Sequence, residues 1–293
     1  VDIAGLVEGA HRGEGLGNQF LAHIREVDAI AHAVRCFSSP DVAHVRAEID
    51  PARDIQVVNA ELILADLATV ARRRERIGKA AASGDREKAR EMEVLRRVEE
   101  GLDAGVPVRA MELSEDDRKI LSGLFLLTAK PVIYVANLGE EQLPDGGPLL
   151  EAVREAATTE GAQWVAFCAR LEAEIEELEA EEAEEFLAAY GIERMGLEEF
   201  ASRCYDLLGL ITFFTTESGE CRAWPLRSGG TAVEAAGRIH TDMERGFIRA
   251  EVMGWEDFLS HGSFSAAREH GAVRVEGRDY VVRDGDVMLF RFS

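Results

Sequence analysis

Three groups of residues in this chain are of types and spacings that could do chemistry. In the opening stretch Val1 and Ile3 alternate with Asp2 and Ala4 before Gly5, and Gly13, Gly15 and Gly17 follow. An alternating run that breaks into glycines reads as a strand ending in a loop. Asp2 then stands at a strand's C-terminal end, where open α/β sheets bind ligands, and an aspartate and a glycine placed there can serve a phosphate. The glycine spacing alone fits a plain flexible turn equally well. His44 lies between Ala43 and Val45 in a loop-like stretch with Pro40, Asp41, Asp50, Pro51 and Asp54. Taken by itself it reads as a surface or half-buried side chain. The third group is a pair of strand ends, Asn137-Leu138-Gly139-Glu140 and Cys168-Ala169.

The elements that must position these residues follow from hydrophobic periodicity. Strands are predicted over 29–37, 131–136 and 163–167, and helices over 18–26 and 149–157. The run Pro131-Val132-Ile133-Tyr134-Val135-Ala136 is too continuously apolar for a half-exposed strand and implies cover on both faces. Helices between such strands, with ligand groups at strand ends, make a doubly wound α/β arrangement. Between 55 and 119 the pattern becomes that of long helices. Ile63, Leu67, Val70 and Ile77, and then Met92, Leu95, Val98 and Leu102, recur at helical spacing around a turn at 80–85. An antiparallel helical hairpin is expected there. The run Glu172, Glu174, Glu176, Glu177, Glu179, Glu181, Glu182, Glu184 and Glu185 reads as a solvated helix face, because carboxylates all round a helix do not converge on a metal. From 207 to 293 a small α+β unit is predicted. Its expected parts are strands at 210–215, 221–225 and 247–252, a helix capped by Thr231, and a closing hairpin of 278–283 with 287–292.

Composition narrows the function classes. The 293 residues carry 33 Lys and Arg against 55 Asp and Glu, a formal net charge of -22, which argues against non-specific coating of nucleic acid. Against that background the hairpin is locally basic, with Arg72, Arg73, Arg74, Arg76, Lys79, Arg86, Lys88, Arg90, Arg96 and Arg97. An RNA contact and a solvated coiled coil laced with ion pairs both fit this composition. The four cysteines, Cys36, Cys168, Cys204 and Cys221, have neither CxxC nor disulfide-framework spacing. No apolar run reaches the roughly 18 to 20 residues of a membrane span. A cytoplasmic protein without a membrane partner is expected.

The segments DIAGL and GEGLGN, then HAVRCF, NAELILADL, the NxxE from Asn137 to Glu140 and HTDMERGFIRAEV occur in one order through the whole chain. In this the sequence resembles the YchF type of Obg-like ATPases. The resemblance implies a P-loop NTPase-like, mostly parallel sheet in 1–54 and 120–206, here lacking its N-terminal part. It implies a helical insertion at 55–119 and a C-terminal TGS domain, a ubiquitin-like α+β module, at 207–293. It also implies binding and hydrolysis of ATP with magnesium, and association with a ribosome or ribosomal subunit through the basic arm and the TGS domain. Asp2 matches the magnesium-holding aspartate, and Gly5 the glycine whose N–H meets the γ-phosphate. Asn137, Leu138 and Glu140 match the base-recognition segment, and Cys168 and Ala169 the last base-contacting loop.

Departures from the GTPase pattern sharpen these expectations. Where NKxD is usual, Leu138 replaces the lysine, and Glu140 is one methylene longer than the aspartate that grips guanine. A preference for ATP over GTP follows. Leu6 stands where a water-orienting glutamine is common, and in the family that task falls to a histidine matching His44. No GxxxxGK[ST] occurs in the sequence. The P-loop is therefore expected upstream of Val1, and residues 1–293 taken alone are expected not to hydrolyse ATP appreciably. Two other functions remain open at this point: a ribosome- or RNA-binding module without hydrolysis, and a conventional GTPase.

Overall fold

The computed structural model describes residues 16–38, 48–192, 194–217 and 220–293. They fall into two compact units, Val1–Cys204 and Tyr205–Ser293.

Among the described residues the first unit begins with helix α1 (Leu16–Glu26) and strand β1 (Ile30–Cys36). The arm follows as α2 (Pro51–Ala82) and α3 (Arg86–Asp103), and then α4 (Glu115–Ser122). Strand β2 (Val132–Leu138), helix α5 (Gly147–Glu160) and strand β3 (Gln163–Phe167) complete a parallel sheet of order β1-β2-β3. Tyr134, Ala136 and Leu138 alternate onto one face of β2. There they pack with Val34 and Cys36 of β1, Leu150, Val153 and Ala157 of α5, and Ile55 from the first turns of α2. The predicted parallel α/β arrangement is thus present, and the arm's long helix begins inside the sheet's own core.

Local chemistry sets the ends of the hairpin. Asp50 caps α2 by accepting from the Arg53 N–H at 3.1 Å, with Pro51 in the first turn, where its missing N–H costs no bond. The turn of Ser83, Gly84 and Asp85 needs Gly84 at φ 96°, and Asp85 then caps α3 through the N–H groups of Glu87 and Lys88. Val70, Ile77, Val94, Leu95, Val98 and Leu102 fill the seam between the helices. The helical texture does not run unbroken to Lys119. The α3 helix stops at Asp103 before Gly105 at φ 80° and Pro107, and only a 3-10 turn, Val108–Ala110, separates it from the extended approach to α4.

After β3 come α6 (Ala169–Glu176), α7 (Ala180–Ala189) and α8 (Gly196–Leu208). The acidic run is carried on two short helices, with Leu171 and Ile175 buried beneath it. One of its carboxylates is not merely solvated. Glu172 accepts from the N–H groups of Gly196 at 2.7 Å and Leu197 at 3.2 Å, capping α8.

The second unit contains β4 (Leu210–Glu217), β5 (Glu220–Arg227), α9 (Ala232–Ile239), α10 (Thr241–Arg245), β6 (Phe247–Gly254), α11 (Trp255–His261), α12 (Phe264–Glu269), β7 (Arg274–Glu276) and β8 (Asp286–Phe292). They build a mixed sheet of order β5-β4-β8-β6-β7. Thr231 caps α9 in a reciprocal box with Glu234, as its position before the apolar pattern predicts.

The expected closing hairpin does not form. Residues 278–283 are not a strand, and β8 instead pairs antiparallel with β6 and parallel with β4. Competing partners explain the difference. The Tyr280 carbonyl accepts from Ala232 N–H, Val282 N–H donates to the Gly230 carbonyl, and the Asp286 carboxylate accepts from both Tyr280 Oη and Arg283 N–H. These bonds tie the segment to the start of α9 and leave β8 free to enter the sheet.

Candidate functional site

The parallel register aligns Arg35 with Asn137, and Asn137 with Phe167, so the three described strands of the first unit end level with one another. The loops leaving β2 and β3 are joined there directly. Asn137 Oδ1 accepts from the backbone N–H of Ala169 at 3.1 Å. The side chain that ends one strand therefore fixes the first residue of the helix that follows the next. Gly139 N–H donates to Gln142 Oε1 at 2.7 Å, closing a 3-10 turn over Glu140–Gln142. Glu140 stands at the start of that turn, and its Oε1 lies 3.4 Å from Arg170 Nε. Arg170 Nε also lies 3.1 Å from Glu174 Oε1, one turn further along α6. The Glu174 and Glu140 carboxylates both favour the charged guanidinium and raise its pKa.

The structure thus brings Asn137, Glu140 and Ala169 together. Their chain neighbours Leu138 and Cys168 present little side chain to solvent, at 3% and 4% exposed. Leu138 packs in the sheet core and Cys168 against Leu171 and Ile175. What these two offer at the strand ends is backbone. Gly196 supports the same edge, since a Cβ on it would collide with Phe167 Cβ, so α8 can start this close to β3 only with glycine there. Asp2, Gly5 and His44 lie outside the described residues. Among the described residues no cluster of three or more His, Cys, Asp or Glu side chains could hold a metal ion. Two residues that motif and spacing did not single out, Gln142 and Arg170, complete the geometry. Arg170 follows Cys168-Ala169 directly, and its charge was the available signal.

Behind the strand ends, the arm's root is fastened to the sheet through Glu160, the last residue of α5. Its carboxylate accepts from Asn59 Nδ2 of α2 at 2.7 Å, from Arg109 Nη2 at 2.8 Å and from Tyr134 Oη of β2 at 2.7 Å. Burial, with the acceptor Glu160 beside it, pushes the Tyr134 hydroxyl up to about 12. His32 of β1 lies against Tyr134 with ring centroids 5.5 Å apart, and burial depresses its imidazole to about 4. Nearby Asp66 is 1% exposed and accepts from the N–H groups of Leu127 and Thr128 and from the Thr128 hydroxyl. Burial raises its pKa against the pull of those three donors. Cys36, also buried, has its thiol pushed up to about 12 by burial and by Asp54, which makes it a packing residue and not a nucleophile.

At the other end of the arm the basic residues divide into two sets. Arg73 and Lys88 pair with Glu91, Arg74 with Glu99, Arg90 with Glu93 and Asp117, and Arg97 with Asp117. Arg72, Arg76, Lys79 and Arg86, and Arg96 further along α3, are exposed and have no acidic partner among the described residues. The first three sit at i, i+4 and i+7 of α2, on one helical face.

A parallel α/β sheet with joined loops at level strand ends, interrupted by a helical arm and followed by a small mixed-sheet unit, defines a P-loop NTPase-like protein with two additions. Comparison with known proteins agrees. The family model YchF-GTPase_C, described as a protein of unknown function (DUF933), matches residues 210–293. Over the whole chain the sequence is 47% identical to the "Ribosome-binding ATPase YchF" of Bacillus subtilis (strain 168), of which it covers 80%. It is 46% identical to the protein of the same name from Escherichia coli O157:H7, again covering 80% of that relative. The solved "Structure of the Schizosaccharomyces pombe YchF GTPase" superposes with a TM-score of 0.86 at 32% identity, covering 98% of this chain and 78% of that one. The chain belongs to the YchF family.

Proposed function

We propose that the protein to which these residues belong is a cytoplasmic ATPase that hydrolyses ATP and binds ribosomes. The observation that carries this reading is the Asn137–Ala169 clamp at the level ends of three parallel strands, in a chain 47% identical along its length to a relative named a ribosome-binding ATPase. In this reading 1–54 and 120–206 form the nucleotide-binding domain, 55–119 the helical insertion and 207–293 a TGS domain. Asn137, Glu140 and the backbone of Leu138, Cys168 and Ala169 hold the base. Gly5 meets the γ-phosphate, and Asp2 holds magnesium, whose charge neutralises the phosphates. His44 positions the attacking water.

Two measurements on the full-length protein test this. Calorimetric titration should show tighter binding of ATP than of GTP. A marked GTP preference would instead support the conventional GTPase reading, which the naming of the fission-yeast relative as a YchF GTPase keeps worth testing. His44→Ala should leave ATP affinity nearly intact and lower turnover; unchanged turnover removes His44 from the reaction.

The free charges at the arm's tip favour a second contact, with ribosomal RNA, through Arg72, Arg76, Lys79 and Arg86. The ion pairs of Arg73, Arg74, Lys88 and Arg90 compete with any phosphate for those side chains. Co-sedimentation with ribosomes should weaken steeply as salt rises. Salt-insensitive co-sedimentation would take these residues out of the contact.

A further inference from the structure

Resting on the nucleotide reading of the strand ends, we infer that Arg170 is a specificity-determining residue that acts by setting its positive charge against one oxygen of Glu140. The chemistry of the bases gives the reason. Guanine presents two neighbouring donors, N1–H and the exocyclic amino group, and grips a carboxylate best when both oxygens are free and the full charge is available. On the same edge adenine has an acceptor, N1, where guanine has N1–H, and its one donor, the exocyclic amino group, stands on C6 where guanine has its carbonyl. Glu140 Oε1 lies 3.4 Å from Arg170 Nε in an ion-pair contact, the single Nε–H being donated to Glu174, so the guanidinium charge already offsets part of the charge on that oxygen. What remains suits a single donor, and the adjoining guanidinium is a donor that N1 of adenine can face.

Arg170 is held in place for this task from two sides. Glu174 Oε1 takes the same Nε at 3.1 Å one helical turn away. The Asn137 bond to Ala169 N–H fixes the residue immediately before it relative to the strand that carries Glu140's loop. Arg170 is 78% exposed in its side chain and Glu140 35%, so the pair is accessible to a ligand and is screened by salt.

The test is a set of ATP and GTP titrations on the full-length protein, unsubstituted and as Arg170→Ala, Arg170→Lys, Glu140→Gln and Arg170→Ala with Glu140→Gln. Arg170→Ala should shift the ratio of GTP to ATP dissociation constants toward GTP by about two- to fivefold, the scale of an exposed ion pair. Arg170→Lys should restore most of the ratio. Arg170→Ala should do nothing further once Glu140 is Gln, and the shift should shrink at high salt. An unchanged ratio overturns the inference. So does an equal fall in both affinities, which is what a merely structural arginine gives, and so does an undiminished shift in the Glu140→Gln background. If the unsubstituted protein binds neither nucleotide, the nucleotide reading itself fails. Binding with a preference that Arg170→Ala leaves untouched refutes the role of Arg170 alone.

Discussion

At the root of the arm, Glu160 gathers Asn59, Arg109 and Tyr134, and Asp66 gathers two backbone N–H groups and a hydroxyl. At the tip, Arg72, Arg76, Lys79 and Arg86 meet no carboxylate among the described residues. The arm thus has paired, mostly buried carboxylates at one end and cations left in water at the other. Burial decides the difference. A donor or acceptor shut away from solvent must be paired or it destabilises the fold, whereas an exposed guanidinium costs nothing until a partner arrives. Root and tip should therefore respond to substitution in opposite ways, the root in stability and the tip in binding.

The largest effect is expected at Asp66. Asp66→Ala strands three buried donors and should cost about 3–5 kcal/mol of the first unit's stability. Denaturation followed at Trp164, in a Trp224→Phe, Trp255→Phe background, measures that unit alone; a loss below about 1 kcal/mol would mean that the Leu127–Thr128 turn has found other acceptors. Next comes Glu160→Ala, which leaves Arg109 a mostly buried cation without its acid and should cost about 2–3 kcal/mol. The milder Tyr134→Phe deletes one hydrogen bond to the same carboxylate and should cost about 1 kcal/mol.

His32 supplies a comparable effect through pH. Its folded pKa, about 4, lies below the 6.5 of an unperturbed histidine, so the unfolded chain binds the extra proton first. The stability it contributes is complete above pH 6.5 and is lost as pH falls toward 4, in total on the order of 3 kcal/mol. His32→Phe, compared with the unsubstituted chain, should flatten that part of the stability profile. Parallel profiles would show that other groups cause the acid loss.

The smallest effect on stability belongs to the tip. Replacing Arg72, Arg76, Lys79 and Arg86 together by alanine should change stability by no more than about 0.5 kcal/mol per residue. The same variant should make the salt dependence of ribosome co-sedimentation shallower by roughly one in logarithmic slope for each phosphate left without its cation. An unchanged slope together with a destabilised first unit would reverse the comparison.

The tip and the sheet were the most legible parts of the sequence, because both are written in local pattern. The continuous apolar run of β2 announces a strand covered on both faces, and the seam residues of α2 and α3 announce the hairpin. Thr231 marks a helix start by residue type alone. Alternation from Tyr134 through Ala136 also places Leu138 in the core, since a strand returns every second side chain to the same face.

The root was not legible, because its bonds join distant positions. Asn59 and Glu160 are 101 residues apart, and Arg109 and Glu160 are 51 apart. Periodicity shows which face of an element is buried but not which distant element covers it. The closing hairpin failed for a related reason. Residues 278–283 have strand-like composition, but their backbone groups are taken by Gly230 and Ala232, and nothing local in the sequence announces that competition.

The arm also has a mechanical property. Helix α2 is one unbroken rod of 32 residues, with Ile55 in the sheet core, Asn59 bolted to Glu160, and its free end at the turn of Ser83 and Gly84. From Asp66, held by Leu127 and Thr128, to Ala82 it projects roughly 24 Å at 1.5 Å per residue, so each degree of rotation at the root sweeps the tip by about 0.4 Å. The arm is therefore a lever with a long outer limb and a short inner one. A partner that grips the tip holds the limb with the greater travel, while the inner limb bears with proportionately greater force on Tyr134 and the strand that ends in Asn137.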